Sequence, residues 1–154
     1  MPNELQLLGR AVKQAQYRQH RALDSRLAAA GTTLAQWDAL RAISRTPGAS
    51  ARTLASATFQ SEQAFGTLAG RLTTLGLIER RPGVGRRIEH YLTTSGEEVL
   101  RTGHRIADEV LAACYADLSP ADRTTLLHLL HRIDGNDGID GSDGSDGSDG
   151  SPEE

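Results

Sequence analysis

The apolar positions of this chain fall into helical stripes interrupted by one short region of alternation. Between residues 3 and 30, Leu5, Leu8, Val12, Ala15, Leu23 and Leu27 recur mostly at i, i+3 or i+4. Arg10, Lys13, Arg18, Arg21 and Arg26 fall mostly between them. The pattern predicts a long first helix ending before Gly31, which suits a C-terminal cap. Its N-terminal part has little to pack against, so partner contact is the use of the exposed stripe. Thr33 and Gln36 fit a capping box that opens a second helix, with Leu34, Trp37, Leu40, Ala42 and Ile43 as its apolar side. Thr46-Pro47-Gly48 stops it. Trp37 is expected to pack in the core, because a large ring dominates the area buried.

Ser50 is placed to cap a short third helix through Ala57, and Thr58-Phe59-Gln60 reads as a turn whose Phe59 plugs the core. Ser61 then caps a fourth helix, with Glu62 in its first turn. Ala64, Leu68, Leu72 and Leu75 are expected to face inward, and Gln63, Thr67, Gly70, Arg71 and Thr74 outward. Gly66 and Gly70 each cost about 1 kcal/mol against alanine inside a helix. Close approach to a groove wall, or helix packing across Gly66-x-x-x-Gly70, would offset that. Leu77 to Arg81 and Arg87 to Leu92 form two strand-like runs around Pro82-Gly83-Val84-Gly85, with Ile88, His90 and Leu92 on one face. His90 is read as a surface or hydrogen-bonded strand residue. Thr94-Ser-Gly-Glu97 starts a fifth helix to about Ala116. Ser119 and Pro120 start a sixth, carrying Leu126, Leu127, Leu129, Leu130 and Ile133. That helix is apolar on more than one face, which calls for a covering twin subunit. The fold class is mainly α with a small β-hairpin wing: a six-helix winged helix-turn-helix with dimerisation helices at both ends of the chain.

Charge refines this picture. The 154 residues carry a net charge of −3, but this averages two regions. Eight of the 20 acidic residues lie from Asp134 onward, where no basic residue occurs, leaving 12 acidic against 17 basic before it, a balance of +5. All the basic residues but Lys13 are arginine, whose planar fork favours bidentate contacts to phosphate or guanine. Residues 134–154 reduce almost to Asp, Gly and Ser with a period of three and are expected to be a disordered acidic tail. The period matches no calcium-binding repeat. No basic-then-apolar leader and no apolar run of about 18 residues occurs, and the single cysteine excludes an internal disulfide framework, so a cytoplasmic protein without membrane contact is expected.

Other chemistry lacks its residues. His128 and His131, like His104 and Asp108, can share a helix face, but no third ligand is fixed by pattern, so no metal site is expected. There is no phosphate-binding glycine loop and no nucleophile elbow, and the chain is read as a non-enzyme without cofactors.

Taken together, Leu34-Ala-Gln-Trp37-Asp-Ala-Leu40, Leu54-Ala55, Arg71-Leu72-x-x-Leu75-Gly76-Leu77-Ile78-Glu79-Arg80, Arg86-Arg87 and Leu92-Thr93-x-x-Gly96 carry a resemblance to the MarR family of bacterial transcriptional regulators. It spans roughly residues 5 to 133. The resemblance implies a MarR-like domain over 1–133, in which residues 1–30 and 95–133 dimerise and 33–94 form the DNA-binding lobe. It implies a homodimer on a palindromic operator of double-stranded DNA, usually a repressor released by a small aromatic or oxidising effector. Ser61, Gln63, Thr67, Gly70 and Arg71 are then the candidate DNA contacts of the recognition helix, with Arg86 and Arg87 in the wing. Tyr17, His20 and Trp37 are the candidate effector pocket, by position between the dimer helices and the lobe. Two departures stand out. The wing is short, with Gly83 to Gly85 where an aspartate commonly precedes the arginines. Cys114 lies in the fifth helix rather than near the N-terminus, so peroxide sensing does not carry over, and it is expected to be a small buried hydrophobe. The competing reading is a winged-helix module that binds proteins and not DNA.

Overall fold

The computed structural model describes residue 1 and residues 3–135. The acidic tail expectation falls on residues outside that range, apart from Asp134 and Gly135. Six helices and one hairpin follow in the order α1 (Glu4–Ala29), α2 (Leu34–Arg45), α3 (Ala51–Ala57), α4 (Glu62–Thr74), β1 (Ile78–Pro82), β2 (Ile88–Leu92), α5 (Thr94–Cys114) and α6 (Pro120–Asp134). This is the mainly helical winged helix-turn-helix that the hydrophobic pattern predicts. Two compact units divide it, residues 1–114 and the segment from Tyr115 on.

Cap chemistry explains most helix starts. Thr33, Ser50, Ser61 and Ser119 each turn a side-chain oxygen onto the backbone N–H three residues on, satisfying a donor the helix leaves unpaired. Asn3 does the same two residues on, for Leu5. At α5 the cap is Thr93, one residue earlier than expected. Its hydroxyl accepts from the Gly96 N–H at 3.1 Å while donating to the Gly76 carbonyl at 2.6 Å. Gly31 follows α1 at φ +87°, a left-handed conformation suited to a residue without a side chain.

The core of the first unit is built on α2. Leu27, Leu40, Ile43, Leu54, Phe65 and Leu72 are essentially inaccessible, with Leu23, Ile106, Ala107 and Val110 where α1 meets α5. Gly103 of α5 admits the Trp37 indole, since a Cβ there would collide with Cδ1 and Nε1 of the ring. Arg41 lies 4.4 Å above the same ring and His104 meets it edge-on at 5.6 Å. Trp37 is therefore a core residue, as its size predicts. Its Nε1 is buried without a hydrogen-bond partner among the described residues.

Three expectations need correction. Phe59 does not plug the core: it is 98% exposed, and the turn holds it at φ +56°. With that backbone conformation the side chain stands in solvent, and Phe65 is the phenylalanine buried in the core. On α4 the inward face is Phe65, Ala69 and Leu72, with Leu68 half-buried and Ala64 and Leu75 exposed. The stripe is offset because the large Phe65 sets the helix rotation and the helix ends before Leu75. Cys114 is exposed, not buried. It closes α5 one turn beyond Val110, on the rim of a cleft of about 430 Å³ also lined by Arg18, Ala22 and Arg26 of α1.

Both ends of the chain leave apolar surface uncovered. Residues 4–18 of α1 are exposed throughout, including Leu5, Leu7, Leu8 and Val12. In the second unit α6 has no buried residue, and Leu127 and Ile133 are 54% and 70% exposed. Among the described residues no helix is long and apolar enough to cross a membrane.

Candidate nucleic-acid interface

The fourth helix presents a continuous outer stripe. Gln63, Thr67, Arg71 and Thr74 are exposed, and Gly70 is half-buried among them. At about 100° per residue these positions lie opposite Phe65, Ala69 and Leu72, so the packing that anchors α4 also aims the stripe outward. Ser61 sits at the helix entrance and its Oγ is occupied in capping, accepting from the Ala64 N–H at 3.1 Å. Thr67 and Thr74 return their hydroxyls to the carbonyls of Gln63 and Gly70. Arg71 and Gln63 have no such internal task.

Helix packing across Gly66-x-x-x-Gly70 does not occur within the described residues. Nothing lies within 4 Å of a Cβ built at Gly66, and at Gly70 the only neighbour is the Arg80 guanidinium, with Nη2 at 3.1 Å. Sequence reasoning places Arg80 merely as a strand residue. Its tertiary position beside α4 has no sequence signal except the glycine at 70.

The wing pairs Ile78 with Leu92 and Pro82 with Ile88, one residue later at its first strand than the sequence suggests. Five residues link the strands. The Gly83 N–H bonds the Arg87 carbonyl at 2.8 Å and Gly85 adopts φ +69°. Of the inward face read from alternation, only His90 is buried, while Ile88 is 45% exposed. His90 Nδ1 meets the Ala49 carbonyl at 2.8 Å, its own carbonyl accepts from the Gly48 N–H, and its ring stands edge-on to Phe65. This pins the hairpin to the α2–α3 loop. The two wing arginines then differ. Arg87 reaches back to the Gly48 carbonyl at 3.4 Å, whereas Arg86 is exposed at the tip beside Val84.

The candidate effector residues are distributed differently. Tyr17 and His20 are exposed on α1, Tyr17 against the Arg21 guanidinium, and Trp37 is in the core. Behind the α3–α4 turn lies a cleft of about 370 Å³ lined by Asp38, Arg41, Arg45, Thr58 and Phe59. Burial pushes the Asp38 carboxyl above the usual aspartate range, with the Arg41 guanidinium opposing the shift. Arg41 Nε is buried there without a hydrogen-bond partner among the described residues.

A helix-turn-helix followed by a hairpin pinned beside it defines a winged helix-turn-helix protein. Residues 30–88 match the profile of the MarR family. Over these residues the chain is similar to the MarR family, and the match takes in the helix-turn-helix and the hairpin as far as Ile88. Among solved structures, a mutant of MarR from E. coli complexed with operator DNA superposes with a TM-score of 0.78 at 23% identity, over 85% of this chain and 96% of that one. A probable transcriptional regulator from Pseudomonas aeruginosa has 28% identity and a TM-score of 0.73, over 81% and 95%. A MarR family protein from Mycobacterium tuberculosis in complex with p-aminosalicylic acid has 23% identity and a TM-score of 0.69, over 82% and 98%. No curated protein sequence matches the chain.

Proposed function

We propose that this regulator is a homodimeric repressor that binds a palindromic operator through α4 and is released by a small aromatic ligand. The observation that carries the DNA reading is the outer stripe of α4, where Gln63, Thr67 and Arg71 are exposed and Gln63 and Arg71 are unoccupied. Gln reads adenine and Arg reads guanine through paired hydrogen bonds in the major groove. Arg86 at the wing tip is placed for phosphate or minor-groove contact. The E. coli relative solved with operator DNA supports the same use of the fold.

The dimer reading rests on the uncovered apolar residues of α1 and α6, each too extensive to leave in water. Two recognition helices held by such a dimer would meet successive major grooves about 34 Å apart. The ligand reading draws on the cleft beside Asp38 and on the relative solved with p-aminosalicylic acid. Arg41 and Arg45 supply cations for an acid there.

Selection from randomised duplexes with the purified chain tests the DNA reading. A palindromic motif is expected, and Gln63→Ala relaxes preference at one position of each half-site. Recovery of the unchanged motif by that variant would remove Gln63 from base reading. A chain that selects no duplex, yet retains a partner protein at high salt, would favour the protein-interaction alternative.

A further inference from the structure

We propose that Arg80 of β1 is an additional DNA-contacting residue of the recognition surface, delivered to the α4 face by Gly70 and Thr73. This rests on the DNA reading above. Alternation along β1 sends Arg80 and Arg81 to opposite sides, and their environments diverge. Arg81 is paired with Glu79 at 2.8 Å and stacked on Tyr91 at 4.4 Å, so its charge is already matched. Arg80 has no carboxylate partner among the described residues and is exposed.

The position of Arg80 is nonetheless fixed. Its Nε donates to Thr73 Oγ1 at 3.2 Å, and that hydroxyl in turn donates to the Ala69 carbonyl at 2.8 Å. Because the Thr73 proton is committed to the helix backbone, its oxygen lone pair is turned outward as an acceptor. One guanidinium edge is thus tied down, and the Nη groups remain available. They lie over Gly70, where a side chain would intrude at 3.1 Å.

On the helical wheel Gly70 lies within the stripe of Gln63, Thr67 and Arg71, and Thr73 flanks it. Arg80 therefore adds a pre-positioned cation at one rim of the groove-facing surface, while Arg71 lies towards the opposite rim. A fork held this way loses little freedom on meeting a backbone phosphate. It also gives the glycine at 70 a function in place of helix packing, which does not occur among the described residues.

The test uses the full chain and the palindromic duplex selected by the wild type. Arg80→Ala is expected to weaken binding about tenfold. It also lowers the slope of log affinity against log salt by about 0.9 per half-site, the value for one lost phosphate contact. Its melting temperature stays that of the wild type. Thr73→Val, which keeps the shape and removes the acceptor, weakens binding less, and the double variant is no weaker than Arg80→Ala alone. Wild-type affinity and slope for Arg80→Ala, with Arg86→Ala weakened, would overturn the proposal and leave the DNA reading standing. Weaker binding with an unchanged slope and a parallel fall in melting temperature would make Arg80 a structural clamp and overturn it equally. A wild type that selects no duplex overturns both.

Discussion

The same chemical change, glycine to alanine inside a helix, is expected to act with opposite sign at Gly66 and Gly103. Each substitution gains about 1 kcal/mol from backbone entropy and helix propensity. At Gly66 nothing lies within 4 Å of the new methyl group, so the gain is realised in full. At Gly103 the methyl falls on the Trp37 indole, which is 3% exposed and held by Arg41 above and His104 at its edge. A ring this buried does not swing aside freely, and overpacking of this kind costs about 1–3 kcal/mol. One face and one edge being blocked places Gly103→Ala near the top of that range, for a net loss of about 1–2 kcal/mol. The variants should then differ by about 2–3 kcal/mol, or roughly 4–12 °C in melting temperature for a chain of this length. Thermal and urea melts at one protomer concentration read this directly. Trp37 is the only tryptophan, so its fluorescence gives a second readout. Emission should move in Gly103→Ala and stay unchanged in Gly66→Ala. Equal stability of the two variants, with unchanged emission in both, would refute the packing argument.

Three further outcomes follow from particular contacts. Phe59→Gly should raise the melting temperature by a few degrees, because a left-handed non-glycine residue costs about 1–2 kcal/mol and this side chain buries almost nothing; a fall in stability would show that the ring is used. Asp38→Asn should be more stable than wild type at pH 7. Burial raises the carboxyl above its ordinary value of 3.8, so the folded state is penalised where Asp38 is ionised, and the advantage should disappear once pH falls below that ordinary value. Melts at pH 7 and at about pH 3.5 check the sign, and an advantage that persists at the lower pH would contradict it. In the wing, Arg86→Ala should lower affinity for all duplexes and reduce the salt slope, while Arg87→Ala should have the smaller effect because its guanidinium already reaches Gly48; equal losses would show that the wing arginines act alike.

Local chemistry was readable in the sequence where one short segment decides the outcome. The caps at Thr33, Ser50, Ser61 and Ser119 need only a side-chain oxygen and a nearby N–H, and they form as expected. The adjacent Thr93 and Thr94 both suit a cap, and a tertiary bond from Thr93 to the Gly76 carbonyl settles the choice. The outer stripe of α4 was legible because polarity alone marks it, but its inner face was offset by the bulk of Phe65. Nothing local shows that Phe59 takes a positive φ, that Gly103 makes room for Trp37, or that Arg80 crosses to α4. Each depends on residues far apart in the chain meeting after the lobe has packed.

The surface of α4 and its wing is proposed as a DNA interface. Its most direct test is a salt titration of the purified wild-type chain on its selected palindromic duplex, followed by anisotropy. A steep linear fall of log affinity with log salt is predicted, about 0.9 per phosphate contacted, with two protomers bound per duplex. Binding that scarcely changes with salt would contradict it, and saturation at one protomer per duplex would contradict the homodimer.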